Sequence, residues 1–159
     1  MKFFLDPNQN KIEKPADTEV LWRPSAYPIV QSADKKILMV VPTWGTRWEL
    51  PGGGINIGET IPEGIARECY EETGYKIEVT EKIPIHFAEQ DFFCDNVFYH
   101  TIIFVFPAKL VSKIQDKHII NTVEINEISK IEWVPLTELT EENCQTIIWP
   151  AIRKLKESL

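Results

Sequence analysis

The distribution of apolar and polar side chains along the chain predicts several β-strands and two helical regions. Apolar runs and alternating patterns typical of strands occupy segments 20–31, 36–41, 48–50, 76–88, 97–110 and 128–134. The turn-prone residues 32–35 between the first two segments predict a β-hairpin. Because strands and helical segments alternate, we expect an α+β fold in which helices cover a mixed β-sheet.

The helix with the clearest sequence signals covers residues 61–73. Thr60 and Glu63 have the spacing of a capping box, in which each side chain bonds to the backbone of the other. Pro62 lies in the first turn, where its missing N–H removes no helical hydrogen bond. Gly74 is suited to the left-handed residue that often follows the last helical turn.

The two ends of the chain have different patterns. Residues 1–19 are polar and rich in turn-forming residues, so we expect an irregular N-terminal arm. Residues 20–159 are expected to form a single domain, a size that one hydrophobic core can support. This domain includes a helical segment at 141–158, where Pro150 is expected either to kink the helix or to start a second one.

Composition predicts a soluble, cytoplasmic protein with no membrane segment. The chain is 43% hydrophobic and 26% charged, as in ordinary globular proteins. Its apolar runs are shorter than the roughly 18 residues that a membrane span needs. The N-terminus lacks the apolar core of a signal peptide. Three cysteines without close spacing argue against a disulfide framework and against a thiolate zinc site.

The net charge of -7 limits the expected partners. A nucleic acid polymer would be repelled, since the chain contains no run of Lys or Arg that could form a basic patch. Small phosphorylated molecules remain suitable ligands, because a divalent cation can bridge an acidic protein and an acidic ligand. Nothing in the sequence indicates an oligomeric state.

Three carboxylates cluster on one face of the predicted helix. At about 100° per residue, Glu68, Glu71 and Glu72 lie on one side, while Ile65 and Cys69 define the buried side. A solvated acidic surface is the ordinary explanation for such a face. However, like charges four residues apart cost roughly 0.2–0.5 kcal/mol, and anions in the last turn cost roughly 0.3–1 kcal/mol. A cluster that destabilises its helix becomes useful if it binds a hard cation such as Mg²⁺ or Mn²⁺.

Three consecutive glycines precede this helix at 52–54. Glycine allows close approach of the backbone to a ligand and positive φ angles. Such a loop can offer N–H groups to phosphate oxygens or a carbonyl oxygen to a metal. A glycine run alone is more often structural.

Taken together in order, these residues resemble the signature of the Nudix hydrolase family. The Nudix box is Gly-x5-Glu-x7-Arg-Glu-U-x-Glu-Glu-x-Gly-U, where U is a bulky aliphatic residue. Residues 53–75 match every glycine and charged position, and depart only at the two U positions, Cys69 and Tyr75. Both side chains can still pack as apolar groups. Segments 48–54 and 131–136 also resemble family elements, so the resemblance covers roughly residues 20–139.

The resemblance implies a fold and a set of roles. The fold would be a three-layer α/β/α sandwich with a mixed sheet. The metal ligands would be Glu68, Glu71 and Glu72, with the carbonyl of Gly53 as a further ligand. Two residues, Glu59 and Arg67, would stabilise the motif through a salt bridge rather than contact substrate. A water activated by Mg²⁺ or Mn²⁺ would attack phosphorus and expel a phosphate or nucleotide.

The resemblance allows two locations for the general base. Family members place it either in the box or on a loop after the middle strands. In this chain that loop contains Glu124 and Glu127. Either glutamate is a candidate base, and the alternative for each is an exposed side chain without a catalytic role.

Recognition of the organic part of the substrate must come from outside the box, because the box contacts only metal and phosphates. Trp44, Phe92 and Phe93 lie in predicted loops and are candidates to stack on a base or sugar. The alternative location is the segment 20–31, near Trp22, Arg23 and Tyr27.

The expected activity is hydrolysis of a phosphoanhydride bond in a nucleoside triphosphate or another nucleoside diphosphate derivative. Residues 90–93 lack the proline and tyrosine that mark the ADP-ribose and diadenosine polyphosphate subfamilies. Two other functional classes compete with this hypothesis. One is a catalytically inactive Nudix-fold nucleotide-binding module, and the other is a structural domain whose glutamates form only an acidic surface.

Overall fold

The computed structural model describes residues 3–122 and 127–158, and within them the strands form two sheets. The strands are β1 Phe3–Leu5, β2 Lys11–Glu13, β3 Val20–Val30, β4 Lys36–Pro42, β5 Gly53–Gly54, β6 Ile77–Val79, β7 His86–Cys94, β8 Val97–Leu110 and β9 Ile128–Pro135. The helices are α1 Ile61–Thr73, α2 Lys117–Thr122 and α3 Trp149–Glu157, with a short 3-10 helix at Leu136–Glu138.

The larger sheet is mixed. Its strand order is β2-β1-β7-β8-β3-β5, and β6 pairs with the C-terminal end of β8. The pairs β3–β8 and β1–β7 are parallel, whereas the other pairs are antiparallel. The smaller sheet consists of β4 and β9 in antiparallel arrangement. This arrangement confirms the predicted α+β class and mixed sheet.

Two hydrophobic clusters lie on opposite faces of the strands and produce the sandwich. Alternate side chains of β4 separate in this way: Leu38 packs with Ile65 of α1, while Met39 packs with Ile148 and Ile152 near α3. The alternation follows from the two-residue period of a strand. One helix therefore covers each face, as the predicted α/β/α sandwich requires.

The hairpin predicted around residues 32–35 is only partly correct. The turn exists, since the Ser32 N–H donates to the Lys36 carbonyl at 2.9 Å. Beyond a single bridge between Gln31 and Ile37, however, the two strands separate. Strand β3 pairs along its whole length with β8, and β4 pairs with β9. Long-range pairing therefore replaces the local ladder that the turn suggested.

The prediction of an irregular N-terminal arm was wrong for two segments. Strands β1 and β2 form an antiparallel hairpin, and β1 continues the sheet by pairing with β7. Phe4 anchors the hairpin, because its ring is almost fully buried and meets Phe98 edge-on at 4.9 Å. The turn-forming residues at 6–10 form the connection of this hairpin.

Pro150 starts a helix rather than kinking one. Helix α3 begins at Trp149 with Pro150 in its first turn, and residues 141–148 form turns instead of a regular helix. Among the described residues, the longest helix is α1, with 13 residues. Across residues 3–122 and 127–158, none of the helices has the length and apolar character needed to cross a membrane.

Candidate active site

Helix α1 begins and ends at the residues that the sequence predicted. The Thr60 hydroxyl accepts a hydrogen bond from the Glu63 N–H at 3.4 Å, and the Glu63 carboxylate accepts one from the Thr60 N–H at 2.8 Å. Gly74 ends the helix with φ 71°, and its N–H donates to the Tyr70 carbonyl at 2.8 Å. These caps determine where the acidic face of α1 begins and ends.

The glycine run brings the backbone close to α1 and β3. Gly52 has φ 142°, and a Cβ added there would lie 2.5 Å from the Ala26 carbonyl oxygen. A Cβ added at Gly53 would lie 2.9 Å from a carboxylate oxygen of Glu68. Glycine is therefore required at Gly52, where φ is positive and a backbone oxygen blocks any side chain. At Gly53 a Cβ would meet only the end of the Glu68 side chain, whose carboxylate lies directly beside the Gly53 backbone.

Arg67 connects the loop to the helix. Its Nε and Nη2 atoms donate to the two carboxylate oxygens of Glu59 at 3.0 and 2.7 Å, and Nη2 also donates to the Gly54 carbonyl at 3.0 Å. The bidentate ion pair holds the pKa of Glu59 down at about 2. This geometry agrees with the supporting role that the resemblance implied for Glu59 and Arg67.

The three helix carboxylates each have partners within the protein. Arg67 Nη1 donates to Glu68 at 2.8 Å and to Glu71 at 3.1 Å. Glu72 accepts the Gly52 N–H at 2.9 Å. Burial raises the pKa of Glu68 above its usual value. The arginine thus offsets part of the repulsion between neighbouring carboxylates.

The donor chemistry suits a hard divalent cation, although the side chains are not gathered around one point. No group of three Asp, Glu, His or Cys side chains in the described part of the chain is positioned to hold a metal ion. Glu68 and Glu71 would have to turn from Arg67 to do so. Carboxylates together with a backbone carbonyl are the oxygen donors that Mg²⁺ and Mn²⁺ favour. The assignment of Glu68, Glu71, Glu72 and Gly53 as ligands remains a prediction.

A cavity of about 540 Å³ lies beside the glycine run and contains most of the predicted site. Two of the three helix carboxylates, Glu68 and Glu72, line it together with Gly52 and Gly53. Its walls also include side chains from the N-terminal turn, from β3, β7 and β8, and from the segment before α3. Among the residues that line the cavity are Gln9, Arg23, Tyr27, Trp44, Glu49, Phe92, Glu127 and Gln145.

The aromatic candidates separate into one pair and one outlier. Trp44 and Phe92 both line the cavity, and their ring centroids are 6.2 Å apart. The predicted loop position of Phe92 and Phe93 was wrong, because both belong to strand β7. Successive residues of a strand point to opposite faces. Phe93 accordingly packs on Phe98, with ring centroids 4.6 Å apart, and is not among the cavity residues.

Of the two candidate bases outside the box, Glu127 is among the residues that the structure describes. It lines the cavity, and its backbone carbonyl accepts the Thr43 N–H at 2.7 Å, which ties it to the loop that carries Trp44. Its side chain is exposed. Glu124 lies outside the described residues. The role of either glutamate as a base remains a prediction.

The cavity also contains an acidic residue that the sequence analysis did not select. Burial raises the pKa of Glu49 to about 7, although a hydrogen bond from Tyr27 and the charge of Arg23 act in the opposite direction. Arg23 is the only Lys or Arg among the described residues that line the cavity. The available signal was a glutamate between Trp48 and Leu50 in an apolar segment, directly before the glycine run.

Comparison with known proteins identifies a family. A family model described as NUDIX domain matches residues 21–155. A MutT-like protein from Streptomyces ambofaciens is 42% identical over 62 residues, which cover 39% of this chain and 40% of that protein. A putative 8-oxo-dGTP diphosphatase from Bacillus subtilis is 35% identical over 66 residues, covering 42% and 44% respectively. The matches thus span less than half the length of these curated relatives.

Solved structures show the same fold. A hydrolase of the NUDIX family from Clostridium perfringens superposes with a TM-score of 0.64 at 20% identity, covering 86% of this chain and 98% of that one. The family match covers the glycine run, the acidic helix and the strands that surround the cavity. On these grounds the predicted resemblance is confirmed, and the chain belongs to the Nudix family.

Proposed function

We propose that this protein hydrolyses a phosphoanhydride bond in a nucleoside triphosphate or another nucleoside diphosphate derivative, with Mg²⁺ or Mn²⁺ as cofactor. One observation carries the proposal: a single cavity contains the Glu68 and Glu72 carboxylates, the glycine backbone and the aromatic pair of Trp44 and Phe92. Acidic donors suit a cation that binds phosphates, and aromatic rings suit a base. The name of the Bacillus subtilis relative supports a nucleotide substrate.

The charged residues have complementary roles in this proposal. Glu68, Glu71 and Glu72, with the Gly53 carbonyl, would hold the cation, while Arg67 keeps its two bonds to Glu59 and so preserves the loop. When bound, the cation neutralises phosphate oxygens and lowers the pKa of the attacking water. Arg23 attracts the phosphates into an otherwise acidic cavity.

The reaction itself requires one proton acceptor. A water oxygen bonds to phosphorus, the bridging P–O bond breaks, and its electron pair leaves with the phosphate or nucleotide. A glutamate takes the proton of the water. Either a box glutamate or Glu127 can serve, since Glu68, Glu72 and Glu127 all line the cavity.

A substrate screen with and without chelator tests the proposal. Nucleoside triphosphates, nucleotide sugars and dinucleotides would be assayed for release of phosphate and pyrophosphate. We expect a nucleoside triphosphate or related nucleotide to be hydrolysed fastest. Exhaustive chelation should abolish turnover, and added Mg²⁺ or Mn²⁺ should restore it, because the carboxylates need a cation to bind phosphate.

Three outcomes would contradict parts of this proposal. Turnover that survives exhaustive chelation would refute the metal assignment. A clear preference for a non-nucleotide diphosphate would refute the substrate class. Saturable nucleotide binding with no turnover under any metal condition would favour the catalytically inactive binding module instead.

Trp44→Ala is expected to raise KM for a base-containing substrate by about 2- to 12-fold, with little change in kcat. The range corresponds to the roughly 0.5–1.5 kcal/mol that an aromatic pair contributes beyond its buried area. A contact that is equal in the ground and transition states affects KM alone. Steady-state kinetics on the best nucleotide measures both constants.

Trp22→Ala provides a matched control. Trp22 is an exposed tryptophan that meets His100 edge-on and is not among the cavity residues, so its removal should leave KM unchanged. If Trp44→Ala and Phe92→Ala both leave KM unchanged, the two rings do not bind the base.

A further inference from the structure

Part of the cavity wall comes from the N-terminal hairpin, outside the region that the family model matches. The match begins at residue 21, whereas Gln9 lies in the turn between β1 and β2 and lines the cavity. The hairpin is held in place by the pairing of β1 with β7 and by buried Phe4. Residues before the family domain therefore contribute directly to the candidate site.

Opposite Gln9, the cavity contains a buried amide with an unused donor. Gln145 is only 5% exposed, and its Oε1 accepts a hydrogen bond from Gln9 Nε2 at 3.0 Å. Its Nε2 is buried and has no hydrogen-bond partner among residues 3–122 and 127–158. A buried N–H group without a partner is costly, so such groups are rare unless a ligand completes them.

The hydrogen bonds of Gln9 determine which end of the Gln145 amide remains available. The Thr146 hydroxyl donates to Gln9 Oε1. The Gln9 amide therefore donates to Gln145 through its nitrogen, and Gln145 accepts this hydrogen bond through its side-chain oxygen. In this arrangement the NH₂ group of Gln145, a residue that lines the cavity, is the end of the amide that a ligand could complete.

The backbone of Gln9 is also unusual. Its φ is 68°, in the left-handed region that favours glycine or asparagine over glutamine. The turn is maintained by the Gln9 N–H, which donates to the Asp6 carbonyl at 2.9 Å. Unfavourable backbone conformations are kept at functional positions when the side chain is needed there.

We propose that the β1–β2 turn is part of the ligand site: Gln9 positions Gln145 so that the Gln145 NH₂ donates to a ring carbonyl of the bound base. This inference rests on the proposed function and narrows its substrate class. Guanine and thymine carry a carbonyl at the position where adenine and cytosine carry an amino group. That amino group would face the Gln145 NH₂, and two donors cannot form a hydrogen bond with each other. The site therefore favours keto bases over amino bases.

The inference is tested with two nucleotide pairs that differ at this group, dGTP against dATP and dTTP against dCTP. We expect the wild-type protein to favour the keto member of each pair roughly 10- to 100-fold in kcat/KM, as unpaired buried donors imply. Gln145→Glu replaces the donor by an acceptor, so it should abolish or reverse the preference. Equal kcat/KM within both pairs for the wild-type protein would overturn the inference.

Gln9→Gly separates positioning from folding. Glycine is favoured at positive φ, which offsets part of the stability lost with the side-chain hydrogen bonds of Gln9, so the protein should still fold with only a modestly lower melting temperature. The preference for keto bases should nevertheless fall several-fold, mainly through KM. Asn96→Gly is the matched control, because Asn96 has φ 63° in the β7–β8 turn and is not among the cavity residues. It should keep the full preference.

A double-mutant cycle tests whether Gln9 affects the preference for keto bases through Gln145. In the Gln145→Leu background, Gln9→Gly should cause no further loss of preference, because the donor that Gln9 positions is already absent. Additive losses would overturn the positioning role of Gln9.

Binding measurements distinguish failure of this inference from failure of the proposed function. If none of the four nucleotides is hydrolysed, the proposed function falls, and calorimetry with GMP and AMP still tests the inference. Tighter binding of GMP that Gln9→Gly removes would support it. Equal binding, or no binding of either, would overturn it.

Discussion

Glu72→Gln is expected to lower kcat by at least about 100-fold while the metal-free protein remains as stable as the wild type or becomes slightly more stable. Altering even an indirect partner of a metal ligand typically costs 10- to 100-fold in activity, so replacing a proposed ligand should cost more. The fold should tolerate the change, because an amide oxygen can still accept the Gly52 N–H that now donates to Glu72 at 2.9 Å.

Electrostatic repulsion explains why Glu72→Gln should not destabilise the metal-free protein. Removing the charge of Glu72 relieves repulsion with Glu68, one turn earlier, worth roughly 0.2–0.5 kcal/mol. It also removes an anion from the last turn of α1, which contains no basic residue to offset it. These small gains predict a melting temperature that is equal or slightly higher.

Thermal melts without metal and steady-state kinetics with metal measure the two effects. Glu78→Gln is the matched control, since Glu78 lies on β6 in an exposed ion pair with Lys109 and should affect neither quantity. A fall of several degrees in the melting temperature of Glu72→Gln would show that Glu72 is structural.

Glu49→Gln is expected to stabilise the protein at pH 8 by up to about 3 kcal/mol and to have little effect at pH 5. Burial raises the pKa of Glu49 from 4.5 to about 7. Each unit of difference corresponds to about 1.4 kcal/mol. Above pH 7 the folded wild type must keep a largely desolvated carboxylate ionised, whereas glutamine carries no charge.

The direction of this pH dependence follows from proton binding. Between pH 4.5 and 7, Glu49 holds its proton in the folded state but not in the unfolded state. The unfolding free energy of the wild type therefore decreases as pH rises through this range. The contribution is favourable below pH 4.5 and is lost as pH approaches and passes 7.

Urea denaturation of both proteins at pH 5, 6, 7 and 8 measures the difference. Subtracting the two curves removes groups common to both, including His86, whose pKa burial lowers. We expect the difference to grow with pH and to level off above pH 7. A constant difference across this range would show that Glu49 ionises normally.

Local sequence was sufficient to predict helix α1 and its surroundings. Capping by Thr60 and Gly74 and the pair formed by Glu59 with Arg67 depend on residues close together in the chain. Their spacing therefore predicts their geometry directly. The buried side of α1 was also predictable from local spacing. Cys69 departs from the family pattern, yet it is fully buried on the core-facing side of the helix. The family and the acidic face of the site were consequently predictable from the sequence.

The composition of the cavity was decided by long-range pairing. The parallel pairing of β3 with β8 places Arg23 and Tyr27 in the cavity, and the pairing of β7 turns Phe92 toward it and Phe93 away. A pattern of alternating residues specifies that two faces exist, but only the completed sheet decides which face borders the site.

The clearest case is Gln9, separated from Gln145 by most of the chain. No local signal relates a residue in a polar arm to an amide before the last helix. Their contact exists because Phe4 is buried and β1 adds to the sheet beside β7. The sequence by itself thus determined the family, the acidic helix and its caps, since these depend on local spacing. Only the tertiary structure decided which distant side chains enclose the ligand cavity, because that depends on strand pairing across the whole fold.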